Sequence, residues 1–211
     1  MINKLEKRIL EISYNRKLSH LSSNLSSVGI IDEIYSVKKE NEPFILSNGH
    51  AGLALYVVLE KYYGINAEAL HEKHGVHPNR DLENKIFYST GSLGCGLPAA
   101  CGMALADKTR NVYCLISDGE MFEGSIYETF NIVNKYKINN LKIYANVNGY
   151  SALAEFDKYE IIQKLKNLHQ NIEIRLTDYI YQKFSFVKGL SGHYNLLSQE
   201  EHNTYVSTPH S

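Results

Sequence analysis

The stretch NVYCLISDGEMFEGSIYETFNIVNKYKINNLKIYANVNGY, residues 111–150, decides the fold class. It begins with a run of branched and aromatic residues that stops at Asp118, and it ends with the similar run LKIYANVN. Both runs are typical of buried strands. A helix predicted over 124–137 joins them. Strand, helix and strand form one βαβ unit, which predicts an α/β protein with a mainly parallel sheet flanked by helices.

Oxygen-bearing side chains end both predicted strands. Asp118 follows the first strand and Asn148 the second, 148 − 118 = 30 positions later. Because ligands bind at the carboxyl ends of parallel strands, both side chains can reach one point above the sheet. A carboxylate, an amide oxygen and a backbone carbonyl suit Mg²⁺, and they leave coordination positions for diphosphate oxygens and water. The spacing therefore predicts a Mg²⁺ site that anchors a diphosphate.

The segments before this unit predict helices, loops and one further strand. Two helices are expected between residues 4 and 36, joined by the polar link SHLSSNLSS, which carries His20. SNGHAGLALYVVLEKYYG predicts a loop that enters a helix at His50, with Gly64 as its stop. HEKHGVHPNRDLEN is expected to be a surface loop and KIFYST a short strand. Glycines in TGSLGCG then lead into a small-residue helix, PAACGMALA, and allow a ligand close to the backbone.

The pattern weakens after Tyr150. A helix over 158–168 and two strands, IEIRL and FSFV, are predicted. We expect one domain over 1–197 and a polar, poorly ordered tail over 198–211.

Composition narrows the classes of function. Lys and Arg total 22 against 23 Asp and Glu, so the charge footprint of a nucleic-acid binder is absent. Three cysteines without paired spacing favour a reducing compartment. The amino terminus lacks the apolar core of a signal peptide, and the longest apolar stretch, 51–59, is far below the roughly 20 residues of a membrane helix. We therefore expect a cytoplasmic protein that binds neither nucleic acid nor membrane.

At the strand ends the chain resembles the thiamine-diphosphate enzymes, whose signature is Gly-Asp-Gly followed about one βαβ unit later by asparagine. Here the blocks are SDGEMFEG, with Ser117 in place of the first glycine, and NVNGY. Four further blocks resemble the transketolase branch in its order: SHLSSNLS, LSNGHAG, HPN and TGSLGCG. The resemblance implies the thiamine-diphosphate-binding (PP-type) fold. It fades after Phe156 and returns faintly at FVKG.

The resemblance implies a metal site made by Asp118, Asn148 and the carbonyl of Tyr150. The residues that it places against thiamine diphosphate are His50, Gly91, Leu93, Gly119, Glu120 and Asn148. Among these, His50 and the Gly119 backbone would contact the diphosphate, and the Gly91 carbonyl would accept from the aminopyrimidine. Leu93 would lie under the bent cofactor.

Four residues have catalytic roles by the same resemblance. His20, His50 and His77 would line the substrate channel and handle protons or hydroxyls of a sugar. Glu123 would help to organise the catalytic glutamate of a neighbouring subunit. The chain departs from the family at Ser19 and Ser22, which replace glycines, and at Gly29, where aspartate is common. These departures leave room for a different loop and a different substrate.

The activity implied is transfer of a two-carbon ketol unit between sugars, with thiamine diphosphate and Mg²⁺ as cofactors. In the family the pyrimidine half of the site comes from a second domain. Only 211 − 150 = 61 residues follow Tyr150 here, so we expect a separate pyrimidine-binding subunit in an α2β2 assembly. The alternatives are a decarboxylase or synthase acting on a 2-keto acid or a sugar derivative, including a nucleotide-linked sugar, and a catalytically silent scaffold.

Plainer interpretations compete at several positions. Asp118-Gly119 and Asn148-Gly149 are also turn dipeptides. His71, His74 and His77, three apart, raise a zinc hypothesis, which the intervening Gly75 weakens. His193 and His202, in the poorly matching carboxyl-terminal region, are expected not to reach the diphosphate.

Overall fold

The computed structural model describes residues 2–151, 154–190, 192 and 194–206. Its centre is a sheet of four parallel strands in the order β1-β2-β3-β4. The strands are β1 (Phe44–Leu46), β2 (Val112–Ser117), β3 (Leu141–Val147) and β4 (Glu173–Leu176). The predicted α/β class and parallel sheet are confirmed, and the two strands of the 111–150 unit are neighbours, with Ser117 beside Asn146.

Helices cover both faces of the sheet. The helices, in chain order, are α1 (Lys4–Arg16), α2 (Leu21–Val37), α3 (Gly52–Tyr63), α4 (Ala67–His74), α5 (Gly96–Ala106), α6 (Gly124–Tyr136), α7 (Lys158–Leu168), α8 (Ile180–Lys183) and α9 (Gln199–Tyr205). Strand residues alternate between two cores. Leu46 and Leu115 pack in the core with α1 to α3, whereas Ile45, Cys114 and Ile143 pack in the core with α5 to α7. Alternation across a strand therefore explains why β1 and β2 are buried on both sides.

Several predicted elements are confirmed. The helix after His50 is α3, which ends at Gly64 in the left-handed conformation (φ 70°). The small-residue helix is α5, the helix over 158–168 is α7, and the strand IEIRL is β4.

The polar link SHLSSNLSS is not a loop. It forms the first turns of α2, and His20 precedes that helix with φ 63°. Serine and asparagine favour turns when their side chains bond locally. Here most of them are buried, and their side chains also bond to distant partners: Asn146 Nδ2 donates to Ser26 Oγ at 2.8 Å and to Ser27 Oγ at 3.1 Å. Tertiary hydrogen bonds thus override the local preference.

Other predictions were wrong. KIFYST forms no strand: Ile86 pairs back with Asp81 in an isolated bridge, and Lys85 has φ 62°. FSFV forms a 3₁₀ turn rather than a strand, and the first four residues of HEKHGVHPNRDLEN belong to α4. β1 is a strand that the sequence interpretation missed.

The expected poorly ordered tail contains α9. Ser198 caps this helix with a full capping box, and Val206 is buried beyond its end. His202 stacks on Tyr14 of α1, with ring centroids 4.0 Å apart. Residues 207–211 lie outside the described residues, and so does His193. Within the described ranges, no helix is both long and apolar enough to cross a membrane.

Asp81 fixes the segment that carries His77. Its carboxylate accepts from Lys73 Nζ at 2.7 Å and from Asn84 Nδ2 at 2.7 Å, and it contacts His74 Nε2 at 3.1 Å. Lys73 first, and then Asn84, hold the pKa of Asp81 well below its usual range, although burial opposes the shift. The segment therefore folds back on α4 as an ordered turn.

Candidate functional site

A cavity of about 160 Å³ lies at the carboxyl ends of β2 and β3. Its walls come from the motif blocks, which the fold brings together from distant parts of the chain. The lining residues are His20, Ser23, Asn48, His50, His77, Leu93, Ser117, Asp118, Gly119, Asn146, Asn148, Tyr150 and Ser151. Most of the residues singled out in the sequence therefore share one cavity.

Asp118 lies at the centre of this site. It follows β2 directly and its side chain is 1% exposed. Its Oδ2 accepts from the backbone N–H groups of Asn148 and Gly149, each at 2.7 Å, and its Oδ1 accepts from Gly119 N–H at 3.0 Å. Burial raises the pKa of Asp118 to about 7, although these three donors oppose the shift. A cation bound beside the carboxylate would favour its ionised form.

Asn148 follows β3 directly and is 7% exposed. Its Oδ1 accepts from Tyr150 N–H at 2.9 Å, so the amide oxygen lies over the turn that follows the strand. The Tyr150 ring meets Tyr181 edge-on, with centroids 5.2 Å apart. The structure therefore places the three predicted metal ligands in one wall of the cavity.

Three histidines face the same space. The rings of His20 and His50 have centroids 5.8 Å apart, and Ser19 Oγ lies 2.9 Å from His20 Nδ1. Asn24, a residue that the sequence interpretation missed, ties the two together. Its Nδ2 donates to the carbonyls of His20 at 2.9 Å and His50 at 3.4 Å, and its Oδ1 accepts from Ala54 N–H at 2.8 Å.

Two further asparagines in the cavity wall escaped the sequence interpretation. Asn146 stands inside an otherwise apolar strand, which is the signal that could have revealed it. Asn48 stands inside the LSNGHAG block, and its Nδ2 donates to Ser27 Oγ at 3.3 Å. Its Oδ1 is buried and accepts no hydrogen bond from the residues that the structure describes. A buried amide oxygen without a donor costs free energy unless a ligand or water supplies one.

The chemistry of the cavity residues matches what thiamine diphosphate with Mg²⁺ requires. The cavity is lined by the buried Asp118 carboxylate, by Asn148 and by Asn48, whose amide oxygen has no donor among the described residues. Hard oxygen ligands of this kind match Mg²⁺, which keeps coordination positions for phosphate oxygens. The residues present therefore suit a diphosphate held through a divalent cation.

Three residues that the resemblance assigned do not line the cavity. Gly91 lies against the His77 side chain, since a Cβ at Gly91 would lie 3.4 Å from His77 Cγ. Glu123 packs against Gly94, where a Cβ would lie 2.6 Å from Glu123 Cβ. Glu120 is fully buried, and its carboxylate accepts hydrogen bonds from Ser47 Oγ and from Gly94 N–H.

The zinc hypothesis has no support in the described residues, where no group of three His, Cys, Asp or Glu side chains is placed to hold a metal ion. His74 contacts Asp81, while His77 lines the cavity.

A parallel α/β sheet with a polar cavity at its carboxyl edge is typical of cofactor-binding α/β enzymes. The family described as "Transketolase, thiamine diphosphate binding domain" matches residues 36–157. The chain belongs to this family.

Among its relatives is a subunit of the apulose-4-phosphate transketolase of Phocaeicola vulgatus, 35% identical over an alignment of 158 residues that covers 65% of this chain and 56% of that protein. Human transketolase is 37% identical over an alignment of 121 residues that covers 51% of this chain and 19% of that protein. The chain thus spans about half of the first relative and about a fifth of the second.

Solved transketolases share the fold at low sequence identity. The Campylobacter jejuni enzyme superposes with a TM-score of 0.64 at 17% identity over 98% of this chain and 43% of that chain. The Leishmania mexicana enzyme gives 0.61 at 17% identity over 84% of this chain and 37% of that chain.

Gly49 lets the His50 block approach the glycine-rich block. A Cβ at Gly49 would lie 2.7 Å from both Gly91 N and Thr90 Oγ1. By contrast, Gly29, on the exposed side of α2, has nothing within 4 Å of such a Cβ.

We predict that Gly49→Ala lowers the free energy of unfolding by about 1–3 kcal/mol, because backbone atoms must move to admit the methyl group. Gly29→Ala, the matched control, is expected to raise it by about 0.5–1 kcal/mol, since alanine suits a helix interior. Urea unfolding measures both. A Gly49→Ala protein as stable as the wild type would mean that the two blocks are not in close contact.

Proposed function

We propose that this chain is the diphosphate- and Mg²⁺-binding subunit of a heteromeric transketolase that transfers a two-carbon ketol unit between sugars. The observation that carries the proposal is the junction of Asp118 with the backbone of Asn148 and Gly149 at 2.7 Å. It holds a carboxylate and an asparagine at adjoining strand ends, inside a cavity lined by imidazoles.

In this proposal the metal ligands are the Asp118 carboxylate, the Asn148 amide oxygen and the Tyr150 carbonyl. Two of the three belong to the turn after β3, so the end of one strand sets their spacing. His50 and the Gly119 backbone lie at the same cavity and would contact the diphosphate, and Leu93 would support the cofactor. When bound, thiamine diphosphate would supply a nucleophilic carbon for chemistry at the carbonyl of a ketose.

His20, His50 and His77 bind the hydroxyl groups of the sugar and move its protons. An imidazole ring has two nitrogens, one of which can accept a proton while the other donates one. Asn24 fixes the backbone of His20 relative to that of His50, which keeps two of the three rings at a constant separation. Several polar groups in one channel suit a hydroxyl-rich donor better than a simple 2-keto acid.

The proposed assembly includes a separate pyrimidine-binding subunit, in an α2β2 arrangement. Support comes from the Phocaeicola vulgatus relative, whose name describes one subunit of a transketolase. Glu123, partly exposed beside the glycine-rich block, would meet the catalytic glutamate of that partner.

We predict that Asp118→Ala weakens Mg²⁺-dependent binding of thiamine diphosphate by more than about 100-fold, because a direct ligand is worth more than the outer contacts that cost 10–100-fold. The matched control is Asp107→Ala, a partly exposed aspartate shortly before β2, and it should bind as the wild type does. Calorimetry measures both affinities, and circular dichroism checks the fold. Equal affinities for the two variants would refute the metal assignment.

The activity is tested by assaying ketol transfer from a ketose phosphate to an aldose phosphate in a mixture of the chain with its pyrimidine-binding partner. Transfer is expected only when both polypeptides are present, since neither would hold the whole cofactor. Full activity of this chain alone would contradict the two-subunit proposal. Release of CO₂ from a 2-keto acid, without ketol transfer, would favour the decarboxylase alternative, and binding without any turnover would favour the scaffold.

A further inference from the structure

Glu120 lies two residues after Asp118, in the 3₁₀ turn Asp118–Phe122. The family resemblance places it among the cofactor contacts, yet its side chain is 0% exposed and does not line the cavity. Its carboxylate therefore lies outside the cavity lining, and its hydrogen bonds are made within the protein.

Every hydrogen bond of this carboxylate goes to a motif block. Oε1 accepts from Ser47 Oγ at 2.5 Å and from Gly94 N–H at 2.9 Å. Oε2 accepts from Ser117 N–H at 2.9 Å and from Ser117 Oγ at 3.3 Å. One side chain thus joins the LSNGHAG block, the TGSLGCG block and the SDGEMFEG block, which are up to 73 positions apart.

Each of these bonds lies next to a residue of the cavity wall. Asp118 follows Ser117 directly, Leu93 precedes Gly94 directly, and Asn48 follows Ser47 directly. The LSNGHAG and TGSLGCG blocks also touch without spare room, because a Cβ at Gly96 would lie 2.6 Å from Ser47 Cα. A change in the Glu120 bonds therefore moves several cavity walls together.

We propose that Glu120 is a positioning residue, whose buried carboxylate clamps the three motif blocks in the arrangement that accepts the diphosphate. The clamp itself is a property of the chain without any ligand. Its effect on affinity rests on the proposed function. Ser117, which stands where the family commonly has glycine, belongs to the clamp because its hydroxyl adds a donor to Glu120.

Glu120→Gln tests the clamp with almost no change in volume. Both carboxylate oxygens face a backbone N–H, so the new NH₂ group meets a donor whichever way the amide turns. Glu42 provides a matched control at the amino edge of the sheet. It is 3% exposed, its Oε2 accepts from Lys39 N–H at 2.8 Å, and its Oε1 accepts from Asn111 Nδ2 at 2.8 Å.

The first measurement is amide hydrogen exchange of the full chain without ligand. Glu120→Gln is expected to speed exchange about tenfold in the segments 46–52 and 90–96, because a buried donor loses its acceptor. Glu42→Gln should leave those two segments unchanged. Ser47→Ala is a milder variant that keeps the Glu120 carboxylate, and it should speed exchange in segment 46–52. It replaces Glu120→Gln as the test if the glutamine variant does not fold. Unchanged exchange in both clamp variants would overturn the proposal.

The second measurement is the affinity for thiamine diphosphate with Mg²⁺, by calorimetry on the assembled protein. Glu120→Gln is expected to weaken binding by about 10–100-fold, as is usual for residues that orient direct contacts. Glu42→Gln should lower the melting temperature by a similar amount, but it should bind thiamine diphosphate as tightly as the wild type does. Equal weakening in both variants would mean a general loss of stability and would overturn the positioning role. If the wild type binds no cofactor, the proposed function fails, whereas the exchange data still decide the clamp.

Discussion

The hydrogen bonds from the Asn148 and Gly149 backbone to the Asp118 carboxylate are the constraint on which the site depends. They lock the turn after β3 to the end of β2, at 2.7 Å for each bond. Parallel pairing of the two strands brings these ends to one edge, with Ser117 beside Asn146. The carboxylate is buried and satisfied by backbone donors, so its position is set before any ligand arrives. This preorganisation is what an anchoring site for a metal and a diphosphate requires.

Around this junction, hydrogen bonds from buried polar side chains hold the motif segments in place. Asn24 joins the backbones of His20 and His50, Asn146 bonds the serines of α2, and Glu120 joins three motif blocks. Buried polar groups are costly when unpaired, which makes a satisfied network specific for one arrangement. The apolar cores on the two faces of the sheet hold the helices, and the polar network shapes the cavity.

The features that depend on local sequence patterns could be predicted from the sequence. Strand ends at Asp118 and Asn148, the α/β class and the family all follow from short runs of residues and their order. The sequence could not reveal contacts that join distant positions, such as Asn146 with Ser26, 120 positions apart. The same reason explains why SHLSSNLSS was mistaken for a loop, since Ser26 and Ser27 accept hydrogen bonds from Asn146 of the sheet. KIFYST has strand-like residues, but the turn at Lys85 folds it back on Asp81.

The most direct measurement is a calorimetric titration of the wild-type chain, assembled with the proposed pyrimidine-binding subunit, with thiamine diphosphate in Mg²⁺ and again in excess chelator. The account predicts saturable binding at one site per chain in Mg²⁺, competition by inorganic diphosphate, and loss of binding by more than about 100-fold in chelator, since in the proposal the ion links the carboxylate to the phosphates. Binding of equal strength with and without the ion, or no binding under either condition, would contradict it.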